Sequence, residues 1–241
     1  PDRTPTWTDV TMTALGLAGP KARAVLSSVS RGDWSKEAFP WLSVRECFVG
    51  MAPATVMSVS YSGELAYEIH VPNAQLCAAW LALRQAGEAH GLTLFGARAV
   101  EAMRLEKGYL HWKSDILTEF DPFETGLDRF VTLDKGEFVG KAALIQRHNA
   151  GPRKRLVTLS VAAEDRPAHG GASVMSGGRV VGTVTSGARG HRTGLNLALA
   201  FVEPDRSAPG EALAVDLLGD LIPAEVIAAG PYDPSHERVR A

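Results

Sequence analysis

Three adjoining pieces of the chain gather the residue types that can do chemistry. The first is Tyr61-Ser62-Gly63-Glu64-Leu65-Ala66-Tyr67-Glu68, which reads as a β-hairpin turning at Ser62-Gly63. Strand side chains alternate, so Glu64, Ala66 and Glu68 share one face while Leu65, Tyr67 and Ile69 share the other. With the second face in the core, Glu68 points away from it. The second piece runs from Arg98 to Gly108 and carries Arg104 between Met103 and Leu105, late in a helix that reads as well packed. The third, Tyr109-Leu110-His111-Trp112, follows the helix stop directly. A carboxylate, a guanidinium and several aromatics make a slot for a flat heterocycle. The carboxylate accepts two N–H bonds from an amino-pyrimidinone edge, and the aromatics cover the ring faces. The same residues also fit a structural ion pair of Arg104 with Glu68 or Glu101, plus an aromatic core. Glu101 lies one helical turn before Arg104, where such a pair forms easily.

Composition narrows the field. The chain has 241 residues, 45% of them hydrophobic and 22% charged, which is ordinary for a globular protein and excludes a disordered tail or a disulfide-built miniprotein. Net charge is -2 with no basic stretch, so no nucleic-acid partner is expected. No run approaches about 18 uncharged apolar residues, so no membrane span is expected. Cys47 and Cys77 have no metal-ligand spacing, so no metal site is expected, and a reducing, cytoplasmic setting fits. Phosphate-cradling glycine motifs and hydrolase signatures are absent. The seven histidines are scattered and read as surface or hydrogen-bonded side chains. The opening PDRTPTWTD carries no signal pattern and reads as a trimmed start or a piece of something longer.

Two regions position the chemistry. Residues 1–150 mix strands with helices, and residues 151–241 read as strands and turns. They join at His148-Asn149-Ala150-Gly151-Pro152, where Asn, Gly and Pro suit a helix stop. In the first region, a strand is expected over 11–18, a helix opening at Pro20, and strands over 54–61 and 64–71. Helices are expected from Pro72-Asn73 to about Gly91, over 97–107 and over 141–148. In the second region, five strands are expected over 155–161, 179–185, 195–202, 212–218 and 221–228, forming a compact antiparallel barrel or sandwich. Pro223 there suggests an edge or a bulge.

The ordered motifs resemble the aminomethyltransferase family, the glycine-cleavage T-protein fold that is also appended to sarcosine and dimethylglycine dehydrogenases. Ala14 to Ala22 is similar to the family's L-x-L-x-G-P-x-A stretch, and Tyr61-Ser62-Gly63-Glu64 with Tyr67-Glu68 to its Y-[ST]-G-E-x-x-[YF]-E hairpin. Gly96 to Gly108 is similar to its G-x-R…R-x-E-x-G helix, Phe138 to Leu144 to F-[IV]-G-[KR]-x-A-L, and Thr185-Ser186-Gly187 with Leu197 to Ala200 to its C-terminal strand pair. The stretches Glu106–Trp112 and Asp121–Leu127, and Tyr232-Asp233-Pro234 with Arg238, look more like the dehydrogenase branch.

The resemblance implies an α+β protein: a truncated T-protein folate-binding fold over residues 1–150 and a small antiparallel β-barrel domain over 151–241. It implies tetrahydrofolate as cofactor, with Glu68 on the pterin edge, Tyr61 and Arg104 on pterin-contacting positions, Trp112 lining the pocket and Tyr109 a weaker candidate. It implies capture of a one-carbon unit from an N-methyl amine, through its iminium, as 5,10-methylenetetrahydrofolate. FAD belongs to an upstream flavin domain outside this chain. The catalytic aspartate of the family lies in a portion preceding Ala14 that this sequence lacks, so no catalytic residue is assigned. Demethylation of another methyl donor, and a non-catalytic folate-binding or scaffold role, remain open at this point.

Overall fold

The structure is a computed structural model that describes residues 10–241. The opening segment discussed above, residues 1–9, lies outside the described residues. The chain forms two compact units: Pro1–Phe95 with Ser235–Ala241, and Gly96–Pro234.

The first unit is a four-stranded antiparallel sheet with two helices. Its elements are β1 (Met12–Ala18), α1 (Ala22–Val29), β2 (Val44–Val49), β3 (Ala52–Met57), β4 (Ala66–Pro72) and α2 (Leu76–Glu88). The spatial order is β1-β4-β3-β2. Alternation decides which side is core. Tyr67, Ile69 and Val71 of β4 are buried with Ala54 and Val56 of β3, Val25 and Leu26 of α1 and Ala79 and Leu83 of α2. Each fully buried aliphatic side chain of this kind contributes about 1.5–3 kcal/mol relative to leaving it in water. The opposite face of β4 carries Glu68 and His70. The β3–β4 connection is longer than the two-residue turn expected at Ser62-Gly63. It spans Ser58–Leu65, and the pairing runs from Thr55↔His70 to Met57↔Glu68. Strand β2 was not anticipated, because its alternating Val-Arg-Glu-Cys-Phe-Val places two charges in a six-residue edge strand.

The second unit contains α3 (Ala97–Lys107), α4 (Lys141–Ala150) and the strands β5 (Arg155–Val161), β6 (Ser173–Ser176), β7 (Arg179–Arg189), β8 (Asn196–Val202), β9 (Ala212–Leu217) and β10 (Asp220–Ile227). The strands close into a barrel in the order β10-β5-β8-β7-β6-β9. Closure removes the edges that an open sheet would expose. Pro223 therefore does not sit on a free edge. It lies one residue beyond the β10–β5 ladder, which starts at Ala224↔Val161, and its carbonyl accepts the Ala162 N–H at 2.8 Å. The sixth strand, β6, is only four residues long and was absent from the sequence reading. By packing, the division of the chain falls earlier than the compositional change near residue 150, because α3 lies on β7 and β8.

A carboxylate ties the segment before α4 to the barrel. Glu124 is fully enclosed and accepts the Arg153 backbone N–H at 2.9 Å, its Nε at 3.0 Å and its Nη2 at 2.9 Å. Burial pushes the Glu124 carboxyl up. The side-chain and backbone hydrogen bonds from Arg153, the Asp121 N–H and the Arg153 charge outweigh it and hold the group at about 2, against an ordinary 4.5. A folded pKa below the unfolded one means that the stabilisation is complete above about pH 4.5 and disappears as pH falls toward 2. A Glu124→Gln variant is therefore expected to be less stable than the parent at pH 7, and the two denaturation midpoints should converge as pH approaches 2. A gap that stays constant with pH would reject this account.

Candidate functional site

The predicted site residues fall in both units. In the first, Glu68 sits centrally on β4, flanked by Gly16 of β1 and Met57 of β3. Its side chain is 46% exposed, and its Oε2 meets His70 Nε2 at 3.3 Å. The strand beneath is rigid, since Tyr67 and Ile69 on either side are fully buried and the Tyr67 ring stacks on Phe39. Glu68 is thus a charged acceptor on a fixed platform, with Oε1 facing no partner among the described residues. That acceptor pair fits an N–H-rich heterocycle edge. Tyr61 is half-buried on the connection leading into β4.

In the second unit, the last turn of α3 does more than the sequence suggested. Gly108 ends the helix in the left-handed region at φ 72°, and a Cβ there would stand 2.8 Å from the Gly230 nitrogen. Three charged residues near this end, Arg104, Glu106 and Lys107, each hold a different segment. Arg104 is fully buried. Its Nη1 donates to Asp115 at 2.5 Å and to the Tyr109 carbonyl at 3.0 Å, and its Nη2 donates to Glu101. Glu106 accepts the backbone N–H groups of Arg192 and Thr193, both at 2.7 Å, and Arg192 Nε at 2.8 Å. Lys107 pairs with Asp233 at 2.8 Å.

The resemblance led to Arg104 as a ligand contact. The structure instead closes its guanidinium behind Glu101, Asp115 and Tyr109, so it presents no surface. Of the two ion pairs that spacing allowed, Glu101–Arg104 forms; Glu68 belongs to the other unit. Tyr109 is half-buried. Trp112 is 68% exposed on the loop that bends back through Lys113 at φ 69°.

Asp115 was missed as a key residue, and nothing in its sequence surroundings marks it. It is fully buried. Besides Arg104, its Oδ2 accepts the His111 N–H at 2.8 Å, and its Oδ1 accepts the hydroxyls of Ser186, at 2.7 Å, and Thr185. Neighbours on a regular strand point to opposite faces, so two consecutive hydroxyls on one oxygen need an explanation. The β7–β8 register shifts between Val184 and Ser186, which leaves Thr185 as the extra residue of a bulge and turns both side chains to the same carboxylate. Beside this network lies a cavity of about 350 Å³, lined by Glu101, His111, Ser114, His169, Thr185 and Ser186 among others.

Residues 2–135 match the GCVT N-terminal domain, and residues 154–233 match the glycine cleavage T-protein C-terminal barrel domain. This chain belongs to the glycine cleavage T-protein family. The T-protein-like chain is 37% identical over 214 residues to the mitochondrial dimethylglycine dehydrogenase of Homo sapiens, which covers 88% of the chain and 25% of that protein. It is 34% identical over 219 residues to the aminomethyltransferase of Saccharopolyspora erythraea, covering 90% of the chain and 59% of that protein. The chain thus spans about a quarter of the dehydrogenase and under two thirds of the transferase. Its fold matches the crystal structure of aminomethyltransferase T of the Bartonella henselae glycine cleavage system, with a TM-score of 0.82 at 23% identity over 92% of the chain and 60% of that structure. The aminomethyltransferase fold with a closed six-stranded barrel agrees with the α+β expectation. Among the described residues, no helix is long and apolar enough to cross a membrane.

Proposed function

We propose that this chain is the tetrahydrofolate-binding module of a longer FAD-dependent N-methyl amine dehydrogenase of the sarcosine or dimethylglycine type, taking up the one-carbon unit that oxidation of the amine releases. The observation that carries the reading is Glu68: a half-exposed carboxylate on a strand whose other face is buried, in a T-protein family chain with a dimethylglycine dehydrogenase among its relatives. Glu68 accepts N–H bonds from the pterin edge, and Tyr61 of the same unit supplies aromatic cover. Arg104 has a structural part, fixing the loop that carries Tyr109 and Trp112. Bound tetrahydrofolate supplies a nucleophilic nitrogen for the carbon. The chain's own contribution is proximity and orientation, together with keeping water from a hydrolysable iminium. The flavin chemistry belongs to an upstream domain. Free Cys47 and Cys77 fit a reducing, cytoplasmic compartment.

The test uses the full-length protein turning over an N-methyl amine. Added tetrahydrofolate is expected to lower formaldehyde release severalfold while flavin reduction continues unchanged. A Glu68→Ala protein run in parallel corrects for uncatalysed condensation of free formaldehyde with folate. Formaldehyde release equal in the two proteins at every folate concentration would overturn the reading.

A further inference from the structure

The polarity of the cavity beside α3 specifies the charge of what enters it. Asp115 is a carboxylate, so it can only accept. Ser186 and Thr185 therefore spend their hydroxyl protons on its Oδ1 and keep only oxygen lone pairs for the cavity that they line. His169 Nδ1 lies 3.1 Å from the Gly170 carbonyl. A carbonyl cannot donate, so a ring proton sits on Nδ1, and in that tautomer Nε2 carries the lone pair. Glu101 is 35% exposed and lines the same space. Arg104 holds its Oε1, which leaves the other carboxylate oxygen available. The guanidinium of Arg104 is fully buried, and among the described residues no Lys or Arg lines the cavity.

The charge sum agrees with the hydrogen-bond count. Arg104 offsets one of the two carboxylates, Glu101 and Asp115, and leaves the wall net negative. The wall is also rigid. A Cβ on Gly187 would stand 2.2 Å from the Ala168 carbonyl, and one on Gly170 would stand 2.8 Å from the Thr185 carbonyl. The 168–171 loop is thus pressed against β7, and the acceptors are held in place before any ligand arrives.

We propose that this cavity binds the ammonium group of a small alkylamine, with its N–H donors shared among Glu101, Ser186, Thr185 and His169. An anion has no charged donor there, and an apolar group would leave the lone pairs unpaired. A protonated methylamine or dimethylamine head satisfies several acceptors at once and fits within about 350 Å³. The link to catalysis rests on the folate-module reading, under which the demethylated amine is the second product; for a sarcosine or dimethylglycine type substrate that product is a zwitterion, and its ammonium end is the part these acceptors hold. The binding itself needs no catalytic assumption.

The probe is methylammonium chloride titrated into the full-length protein by calorimetry, against potassium chloride at equal ionic strength. Saturable binding of methylammonium over potassium is expected. Glu101→Gln, which keeps the side-chain shape but removes the charge, should weaken it about tenfold. His169→Leu, on an exposed loop, should weaken it as well, and 5-formyltetrahydrofolate affinity should stay unchanged in both variants. Absence of saturable binding, wild-type affinity in both variants, or preferential binding of acetate would overturn the proposal. A parallel loss of folate affinity in Glu101→Gln would overturn it too, because the cavity would then belong to the pterin. If instead Glu68→Ala leaves folate binding intact, the folate reading fails while the methylammonium result stands by itself.

Discussion

Replacing Glu68 by alanine in the full-length protein is expected to weaken tetrahydrofolate binding by about ten- to a hundredfold, the value of one or two charge-assisted hydrogen bonds. The strand is not expected to suffer. Glu68 projects from the face opposite Tyr67 and Ile69, and among the described residues its carboxylate meets only His70, at 3.3 Å. Amine oxidation should persist, because on the proposed reading the flavin chemistry belongs to an upstream domain. Glu68→Gln separates charge from shape. It can accept one hydrogen bond but must present an amide donor to a donor-rich ring edge, so it should bind almost as poorly as alanine. Calorimetry with 5-formyltetrahydrofolate reads all three proteins. Equal affinities would remove Glu68 from the binding site, and with it the main support for the folate reading.

The largest stability effect is expected at Asp115. Alanine there strips Arg104 of its closest partner, frees the His111 N–H and leaves the Ser186 and Thr185 hydroxyls without their common acceptor. Removing one partner of a fully buried ion pair costs about 3–5 kcal/mol, because the remaining charge stays buried. Arg104→Met combined with Asp115→Leu should cost less than the sum of the two single changes by at least about 1 kcal/mol. Denaturant unfolding of the parent, Asp115→Ala, Arg104→Met, Asp115→Leu and the double variant measures both quantities. A single-site loss under about 1 kcal/mol, or simple additivity, would show that the pair is not a closed unit.

The Asp115 network also explains why residue identity and residue role separate here. Arg104 attracts attention as a cation between Met103 and Leu105, and its interpretation as a ligand contact follows from the family resemblance. Its partner Asp115 lies eleven residues on, past a helix stop and a left-handed Lys113, and the hydroxyls that complete the cage come from residues 185 and 186. No periodicity spans such distances. The sequence-level alternative of a Glu101–Arg104 pair was visible because both lie on one helix face, three residues apart.

Local patterns were legible where local physics decides. Helix α3 runs over the expected 97–107 and stops at Gly108, because glycine adopts the positive φ that ends a helix cheaply. Strand β5 keeps the expected bounds, and the buried side of β4 follows from simple alternation. Strands β2 and β6 were hidden. One is a charged edge and the other is four residues between glycine turns, and both are strands only because neighbours pair with them. The amino-acid sequence by itself determined the family, the helix that bears Arg104 and the strand that bears Glu68. Only the tertiary structure decided that Arg104 is enclosed, that a bulge in β7 aims two hydroxyls at Asp115, and that the resulting cavity wall offers lone pairs. Strand pairing and burial set the direction of every proton in that network, and both depend on residues far apart along the chain.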